Sequence, residues 1–482
     1  MYDAKRTLIA ALLLGAAGDY LIRGMPLGIN VLVGILLCLG AAAALFRKAE
    51  PMLFGAVGAL AAASGIAWRD SPTLVAVDML LVVLFLGFLT LRARGVRETA
   101  TGIMRAGAAM IYSAMLAAAG TFQVFLADVK WKELRPGTSA RRGLVLLRGI
   151  AIAFPLLFIF TVLLTSADPA FAGILGNIFD FEIPEFFGHI VVTLILTVAV
   201  AGFLRSMLVP NELPNIPRPS FLHLGAAETN IGIGLIDALF ALFVGVQLRY
   251  FFGGAALVKV APKLTYAEYA RKGFFELVAV AALVVPLLLV AEWLMRKDDH
   301  RSVLTMRILS LVQIALVFVM LVSAYRRMQL YVDEFGLTEL RVYTTAVMFW
   351  LAALLAWFAA TVLTGNRPRF FLGTVVSGLI VVIALHVINP DLLIVRTNMR
   401  HAADGKRPFD YGYVTQLSAD AAPALIPVAN QPCVALRLLW MEKNFQSQDW
   451  RSWNISRSAA HQLLGPMRAR LEETSKGCTP DH

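Results

Sequence analysis

The residue types and spacing most suited to chemistry occur in residues 230–293, where two apolar runs flank a basic loop. Asp237 lies inside the first run, Asn230–Gly254, with no basic residue beside it. A carboxylate in hydrocarbon costs about 2.5–3.5 kcal/mol on insertion scales, so it normally faces a partner or a wet cavity. Asp237 could therefore hold a coupling ion or proton. Alternatively, it is hydrogen-bonded to a neighbouring helix, with Gln313 and His386 as candidate partners.

A second group of polar residues falls at the predicted outer ends of the later helices. Arg249 lies about 18 Å above Asp237, at about 1.5 Å per helical residue. Because the members share one membrane depth, they could line an outward-facing polar chamber. The alternative is a set of interfacial ion pairs and aromatic anchors that lock the helices. The candidate chamber residues are Arg249, Tyr266, Glu268, Tyr269, Arg271, Glu276, Arg326, Arg327, Tyr331, Asp391 and Arg396.

The sequence carries no recognisable catalytic motif. There is no GxSxG elbow and no Cys/His cluster with metal-ligand spacing,. Gly232 and Gly234 lack the following Lys-Ser/Thr of a phosphate loop and lie in an apolar run,. We therefore expect no cofactor and no metal, and we favour a non-enzymatic role.

Composition sets the class of protein that must position these residues. Hydrophobic residues make up 59% of the chain and charged residues 16%, against about 25% charged in soluble domains. Several separate apolar runs of about 20 residues predict an all-α polytopic transmembrane bundle. They exclude a transmembrane β-barrel, whose sequence shows short segments of alternating hydrophobicity. The net charge of +11 does not indicate nucleic-acid binding, because cytoplasmic loops of membrane proteins collect Lys and Arg.

The apolar runs predict about eleven spans, with the N-terminus in the cytoplasm. Residues 1–209 form an N-terminal half. Its basic segment 92–148 is cytoplasmic by the positive-inside rule, and includes 106–126 as an interfacial or re-entrant helix rather than a span. Asp78 lies inside the fourth span, either hydrogen-bonded in the bundle or part of a polar pathway. The predicted spans are Thr7–Ile22, Leu27–Phe46, Met52–Trp68, Thr73–Leu91, Leu144–Ser166, Gly188–Leu208, Asn230–Gly254, Phe274–Leu294, Val303–Tyr325, Val342–Leu363 and Phe370–Ile388.

A Pro-rich linker, 210–229, separates the halves; residues 230–388 form the second half and 389–482 a small helical tail in the periplasm. Asn389-Pro-Asp391 is a helix-start signal, and Ser418 could cap another helix,. Cys433 and Cys478 could form one disulfide if the tail faces an oxidising compartment. Two unlinked thiols are the alternative.

Several motifs in the second half resemble those of an uncharacterised family of bacterial polytopic membrane proteins, known only by a domain of unknown function. They are LRYFFGG (248–254), TYAEYARKGFFEL (265–277), SAYRRMQLY (323–331), NPD (389–391) and LSADAAPAL (417–425). The resemblance covers residues 225–425. It implies a location in the bacterial inner membrane and no particular activity.

Three hypotheses for function follow, in order of preference. The first is a non-enzymatic scaffold, sensor or accessory subunit, embedded in the lipid bilayer, whose tail binds an envelope protein. The second is a secondary transporter that uses Asp237, although the halves show none of the internal repeat found in many transporters. The third is a membrane-embedded transferase acting on a lipid-linked donor, with Glu268, Glu276 or Asp391 as acid or base.

Overall fold

The computed structural model describes residues 4–45, 53–93, 185–208, 225–252, 274–295, 300–405, 407–446 and 449–478, with isolated positions between 120 and 171. These residues form helices and turns, without a β-strand. The predicted all-α class is confirmed. The predicted span 144–166 and the segment 106–126 fall almost entirely outside the described residues.

The helices follow the predicted apolar runs closely. The first half contains α1 (Ala4–Ile22), α2 (Ile29–Leu45), α3 (Leu53–Trp68), α4 (Pro72–Ala93) and α5 (Glu185–Leu208). The second half contains α6 (Ala226–Phe252), α7 (Phe274–Leu294), α8 (His300–Phe335), α9 (Glu339–Thr361) and α10 (Pro368–Ile388). The tail contains α11 (Pro390–Ala403), α12 (Pro432–Gln446), α13 (Ile455–Leu464) and α14 (Arg468–Ser475), joined by short turns.

Seven helices in the described part, α4 to α10, are long and apolar enough to cross a membrane. Their outer faces expose large aliphatic side chains such as Leu80, Leu235, Leu283 and Ile380, a surface that suits lipid rather than water. Helices α2 and α3 are also apolar but have 17 and 16 residues, at or below the usual length of a span. The chain is therefore a multi-pass helical membrane protein.

Contacts between helix ends give the bundle two distinct ends. At the end that carries the tail, Asp19 near the end of α1 pairs with His189 at the start of α5. At the far end, Glu292 of α7 pairs with Arg367 just before α10. The core runs between these ends, with Phe85, Leu288 and Phe358 fully buried.

The tail begins at a sharp turn directly after α10. Asn389 adopts a left-handed conformation, φ 55°, and its side chain accepts a hydrogen bond from the Leu392 N–H at 3.1 Å. Pro390 then starts α11 without losing a helical donor. The predicted helix start at Asn-Pro-Asp is confirmed, and the turn folds α11 back onto the bundle end.

The tail shares a hydrophobic core with the bundle. Leu425, Leu438 and Leu471 of the tail lie in one buried cluster with Leu74 of α4 and Val342 of α9. A disulfide between Cys433 and Cys478 joins the start of α12 to the residues after α14. Tail and bundle end therefore pack as a single body.

Candidate functional site

Asp420, in the LSADAAPAL motif, is the centre of the contact between tail and bundle. One of its carboxylate oxygens accepts hydrogen bonds from the backbone N–H groups of Asp70 (2.8 Å) and Ser71 (3.0 Å). The other accepts from the Arg69 guanidinium at 3.2 Å and from the Ser456 hydroxyl. The short α3–α4 turn is thereby fixed to two separate segments of the tail.

A second buried carboxylate, Asp391, lies beside the first. Asp391 is 0% exposed and accepts hydrogen bonds from the backbone N–H (3.0 Å) and hydroxyl (2.5 Å) of Ser418. The Ser418 hydroxyl also caps the following turn by accepting from the Asp420 N–H at 3.2 Å, as the sequence predicted. Burial raises the pKa of Asp391, and the hydrogen bonds from Ser418 oppose that rise.

Asp70 completes a group of three carboxylates at the junction. It accepts a hydrogen bond from the Ala419 N–H at 3.2 Å and lies 3.4 Å from the Arg457 guanidinium. Burial raises the pKa of Asp70 to about 6; Arg457 and the Ala419 N–H lower it, whereas Asp420 and Asp391 raise it further. Among the described residues, no group of His, Cys, Asp and Glu side chains is arranged to hold a metal ion.

A buried pair lies in the membrane directly beneath this network. His386 of α10 is 3.0 Å from the Asp78 carboxylate of α4, and both are almost fully buried. The backbone oxygen of His386 accepts from the Arg69 guanidinium at 2.8 Å, which connects the pair to the Asp420 network. Asp78 is thus hydrogen-bonded within the bundle. The predicted partnership of His386 with Asp237 is wrong, because Nε2 of His386 is hydrogen-bonded to the Asp78 carboxylate instead.

A cavity of about 620 Å³ opens where the tail meets the bundle. Its walls come from the α1–α2 turn, the α3–α4 turn and helix α12. Arg437 and Trp440, one turn apart on α12, line it together with Asp70, Asn444 and Arg457. The Arg437 guanidinium stacks on Trp440, 4.6 Å from the ring centroid, and donates to the Leu417 carbonyl at 3.0 Å. Burial lowers the pKa of Arg437, and the Asp70 charge opposes this.

The candidate chamber residues that the structure describes lie apart from this cavity. Glu276, Arg326 and Arg396 are exposed on their helices, and Arg327 and Tyr331 are half-buried in the last part of α8. Tyr331 packs beneath Arg341, 4.0 Å from ring centroid to guanidinium. Helix α6 includes Arg249, and the remaining four candidates, Tyr266, Glu268, Tyr269 and Arg271, lie outside the described residues. Of the described members, Asp391 alone belongs to the Asp420 network, and none lines the cavity.

Sequence reasoning missed most of the junction. Asp420 lies within a motif that we had singled out, but its role as an acceptor was not recognised. Arg69 and Asp70 read as an ordinary short connection between two spans. Arg437 and Trp440 carried a weak signal, because their spacing of three residues places them on one face of a helix.

With this geometry established, comparison with known proteins places the chain in a family. The family described as "Domain of unknown function (DUF4153)" matches residues 55–428. The chain belongs to this family. Asp78, Asp391 and Asp420 lie inside the matched region, whereas Arg437 and Arg457 lie beyond it. The predicted membership of a family known by a domain of unknown function is confirmed. No curated protein and no solved structure matches the chain.

Proposed function

We propose that the chain is a non-enzymatic protein of the bacterial inner membrane, a sensor or accessory subunit, whose periplasmic tail binds an anionic group. The carrying observation is Arg437, a half-buried cation on the wall of the 620 Å³ cavity. Within the described part of the chain, Arg437 has no carboxylate within ion-pair distance, and its Nε has no hydrogen-bond partner.

The charges around the cavity support an anionic occupant. Arg457 is balanced by Asp70 at 3.4 Å, and Arg451 by Asp449 at 2.7 Å. Arg437 is left with a backbone carbonyl and the face of Trp440. Asp70 acts on Arg437 from beyond ion-pair distance. A partly buried cation without a close counter-ion is destabilising, so a phosphate or carboxylate would complete the site. An Arg guanidinium can bind either group with two hydrogen bonds.

The rest of the lining supports a ligand with an apolar part. Met441, Phe445 and Pro26 line the same cavity, and binding sites commonly combine apolar walls with a few polar groups. The occupant would contact α12 of the tail and the α3–α4 turn of the bundle together. Its binding would therefore favour one seating of the tail over others, which is what a sensor requires.

Two features support a periplasmic tail. The end of the bundle away from the tail carries Arg92 in the last turn of α4 and Arg205 in the last turn of α5, as expected of a cytoplasmic face. The bonded pair Cys433–Cys478 fits an oxidising compartment.

Cysteine labelling tests the periplasmic location of the tail. A cysteine replaces the exposed Arg470, and cells with a permeable outer membrane are treated with a membrane-impermeant maleimide, which should label this cysteine. Labelling only after cell lysis would contradict the orientation.

Site-specific photo-crosslinking tests the binding role. A photoreactive amino acid replaces Asn444, which lines the cavity, in the full chain in intact cells. We expect an adduct with a small anionic molecule or lipid, detected by mass spectrometry of the intact protein. Arg437→Gln should abolish the adduct, whereas Arg470→Gln, at an exposed position of α14, should leave it unchanged.

Two outcomes would contradict the proposal. One is the absence of an adduct in every variant, and the other is an adduct that Arg437→Gln leaves at full yield. A protein-sized adduct that persists in Arg437→Gln would instead identify the tail as a docking surface for an envelope protein. Formation of the Cys433–Cys478 disulfide, measured by alkylation, controls for folding of the tail in each variant.

A further inference from the structure

Helices α6 and α8 form a parallel pair that buries an unusual polar layer. Among the described helices, α8 is the main partner of α6. The two helices are joined near their starts by a hydrogen bond of 3.1 Å from the Asn230 side chain to the Ser302 carbonyl. The inward-facing residues of α6 then follow at alternating three- and four-residue steps, the spacing of a helix–helix seam. They are Ile233, Asp237, Phe240, Val244 and Gln247.

The register of the pair places Asp237 opposite polar residues of α8. The hydrogen bond from Asn230 to the Ser302 carbonyl joins residues 72 positions apart. In a parallel pair, this offset sets Asp237 level with residue 309 of α8, next to Ser310 and about one turn before Gln313. In line with this register, Ile233 shares a buried cluster with Met306, and Val244 shares one with Val317.

These three side chains are buried and have unpaired polar atoms. Asp237 is 5% exposed, and Ser310 and Gln313 are 0% exposed. Both carboxylate oxygens, the serine hydroxyl and both amide atoms have no hydrogen-bond partner among the described residues. Native proteins leave few buried polar atoms unpaired. Four of these five atoms are oxygens within about one turn of each other along the seam, and a cation could bind all four; the fifth, the Gln313 amide nitrogen, is a donor.

We propose that Asp237, Ser310 and Gln313 bind a monovalent cation in the membrane. Carboxylate, hydroxyl and amide oxygens are hard ligands of the kind that hard cations prefer. One carboxylate matches one positive charge, so the occupied site is neutral. A divalent cation would leave a net charge in hydrocarbon, which is costly. Arg307, the nearest cation along α8, forms no ion pair with Asp237.

Further polar layers lie on both sides of the site. Asn230, whose side chain bonds to Ser302 of α8, lies about 10 Å from Asp237 towards the start of α6. Gln247 lies about 15 Å from Asp237 in the other direction. Gln247 is also buried, and neither of its amide atoms has a partner in the described part. This row gives an entering ion successive polar contacts along the seam. The inference is independent of the proposed function, because it involves neither the tail nor its cavity.

Cation-dependent stability of the purified full-length protein tests the site. Thermal unfolding in detergent is followed against NaCl, KCl, LiCl and choline chloride at constant ionic strength. The pH is held at about 8, where an exposed carboxyl is ionised. We expect at least one small cation to raise the midpoint saturably and choline to have no effect. Asp237→Asn should abolish the response. Ser310→Ala and Gln313→Ala should each raise the half-saturating concentration about tenfold, equivalent to about 1.4 kcal/mol.

Matched variants control for general effects of charge. Asp19→Asn, a buried acid of α1, and Arg307→Gln should both retain the wild-type response. If Asp237→Asn does not fold, the Ser310 and Gln313 variants decide the result. A wild-type protein without a cation-specific response would overturn the proposal, as would a response that all three site variants leave unchanged. In a parallel series at varied pH, a midpoint that depends on pH but not on the cation, with this dependence lost in Asp237→Asn, would assign a proton instead and also overturn the proposal.

Discussion

The tail junction and the α6–α8 seam both bury polar side chains, but they treat them in opposite ways. At the junction, Asp420 accepts hydrogen bonds from four groups on two chain segments. In the seam, Asp237 is buried, and its carboxylate has no hydrogen-bond partner among the described residues. A buried carboxylate whose two oxygens are both paired rigidifies a structure, whereas one without partners destabilises it. By this comparison, the Asp420 junction has a structural role, whereas the proposed site in the α6–α8 seam requires a ligand.

The two regions also differ in where their partners come from. The junction draws donors from the α3–α4 turn, the LSADAAPAL motif and the start of α13, which are distant in sequence. Among the described residues, the seam is formed by two helices, α6 and α8, with polar residues at similar levels. Substitutions should therefore destabilise the junction cooperatively. In the seam they should act locally, and removal of a polar group there should not weaken the fold.

The largest effect is expected from Asp420→Ala. Removing this carboxylate leaves Arg69 and two backbone N–H groups without their acceptor in a buried setting, and breaking a buried pair typically costs about 3–5 kcal/mol. Thermal unfolding in detergent, together with limited proteolysis between α11 and α12, measures release of the tail. Glu473→Gln, in an exposed pair with Lys476, is the control and should change neither readout. A tail that remains protected in Asp420→Ala would show that the apolar core alone holds it.

A smaller loss is expected from Gly65→Ala, which tests the membrane pair beneath the junction. A Cβ at Gly65 would lie 2.6 Å from both the Asp78 carboxylate and the His386 ring. The pair must separate or α3 must shift, and such overpacking typically costs about 1–3 kcal/mol. Gly40→Ala in α2, where a Cβ meets nothing within 4 Å, is the matched control. It should gain up to about 1 kcal/mol from helix propensity, so equal midpoints for the two variants would contradict this prediction.

The fold was predictable to the extent that it depends on local pattern. The apolar runs gave the helices, and Asn389-Pro390 gave the break before α11, because the signal lies in adjacent residues. The Asp420 network was not predictable, because its donors come from residues about 350 positions apart in sequence. Short polar segments such as Arg69–Ser71 look the same whether they face water or a protein acceptor.

The candidate site was only partly predictable for the same reason. Asp237 was found because an acid inside an apolar run is conspicuous wherever its partners lie. Its proposed partner His386 was wrong, because pairing between helices depends on packing that hydropathy does not encode. Gln313, the other candidate partner, forms no hydrogen bond with Asp237, and Ser310 carries no distinctive signal in an apolar helix.

A change of opposite sign is expected in the seam. Gln313→Met replaces two unpaired amide atoms by apolar atoms of similar volume. An unsatisfied buried polar group costs about 1–3 kcal/mol, so the variant should be more stable than wild type by about 1–2 kcal/mol in choline chloride. The advantage should shrink when a binding cation is added, because the wild type then gains its ligand. A destabilised variant in choline would place Gln313 in a hydrogen-bonded structural role and remove the contrast with Asp420.

A further effect is expected in the pH dependence of the junction. The folded-state pKa of Asp70 is about 6, above that of an unfolded aspartate, near 4. A raised folded pKa means that this contribution to stability is complete below about pH 4 and is lost as the pH rises through about 6. Asp70→Asn keeps an acceptor for the Ala419 N–H and does not titrate, so its unfolding midpoint should fall less between pH 4 and 7 than that of wild type. Burial also raises the pKa of Asp391, so its titration contributes part of the pH dependence of stability in both proteins. If the midpoints of wild type and Asp70→Asn change with pH in parallel, Asp70 stays ionised beside Arg457 and their ion pair persists throughout this pH range.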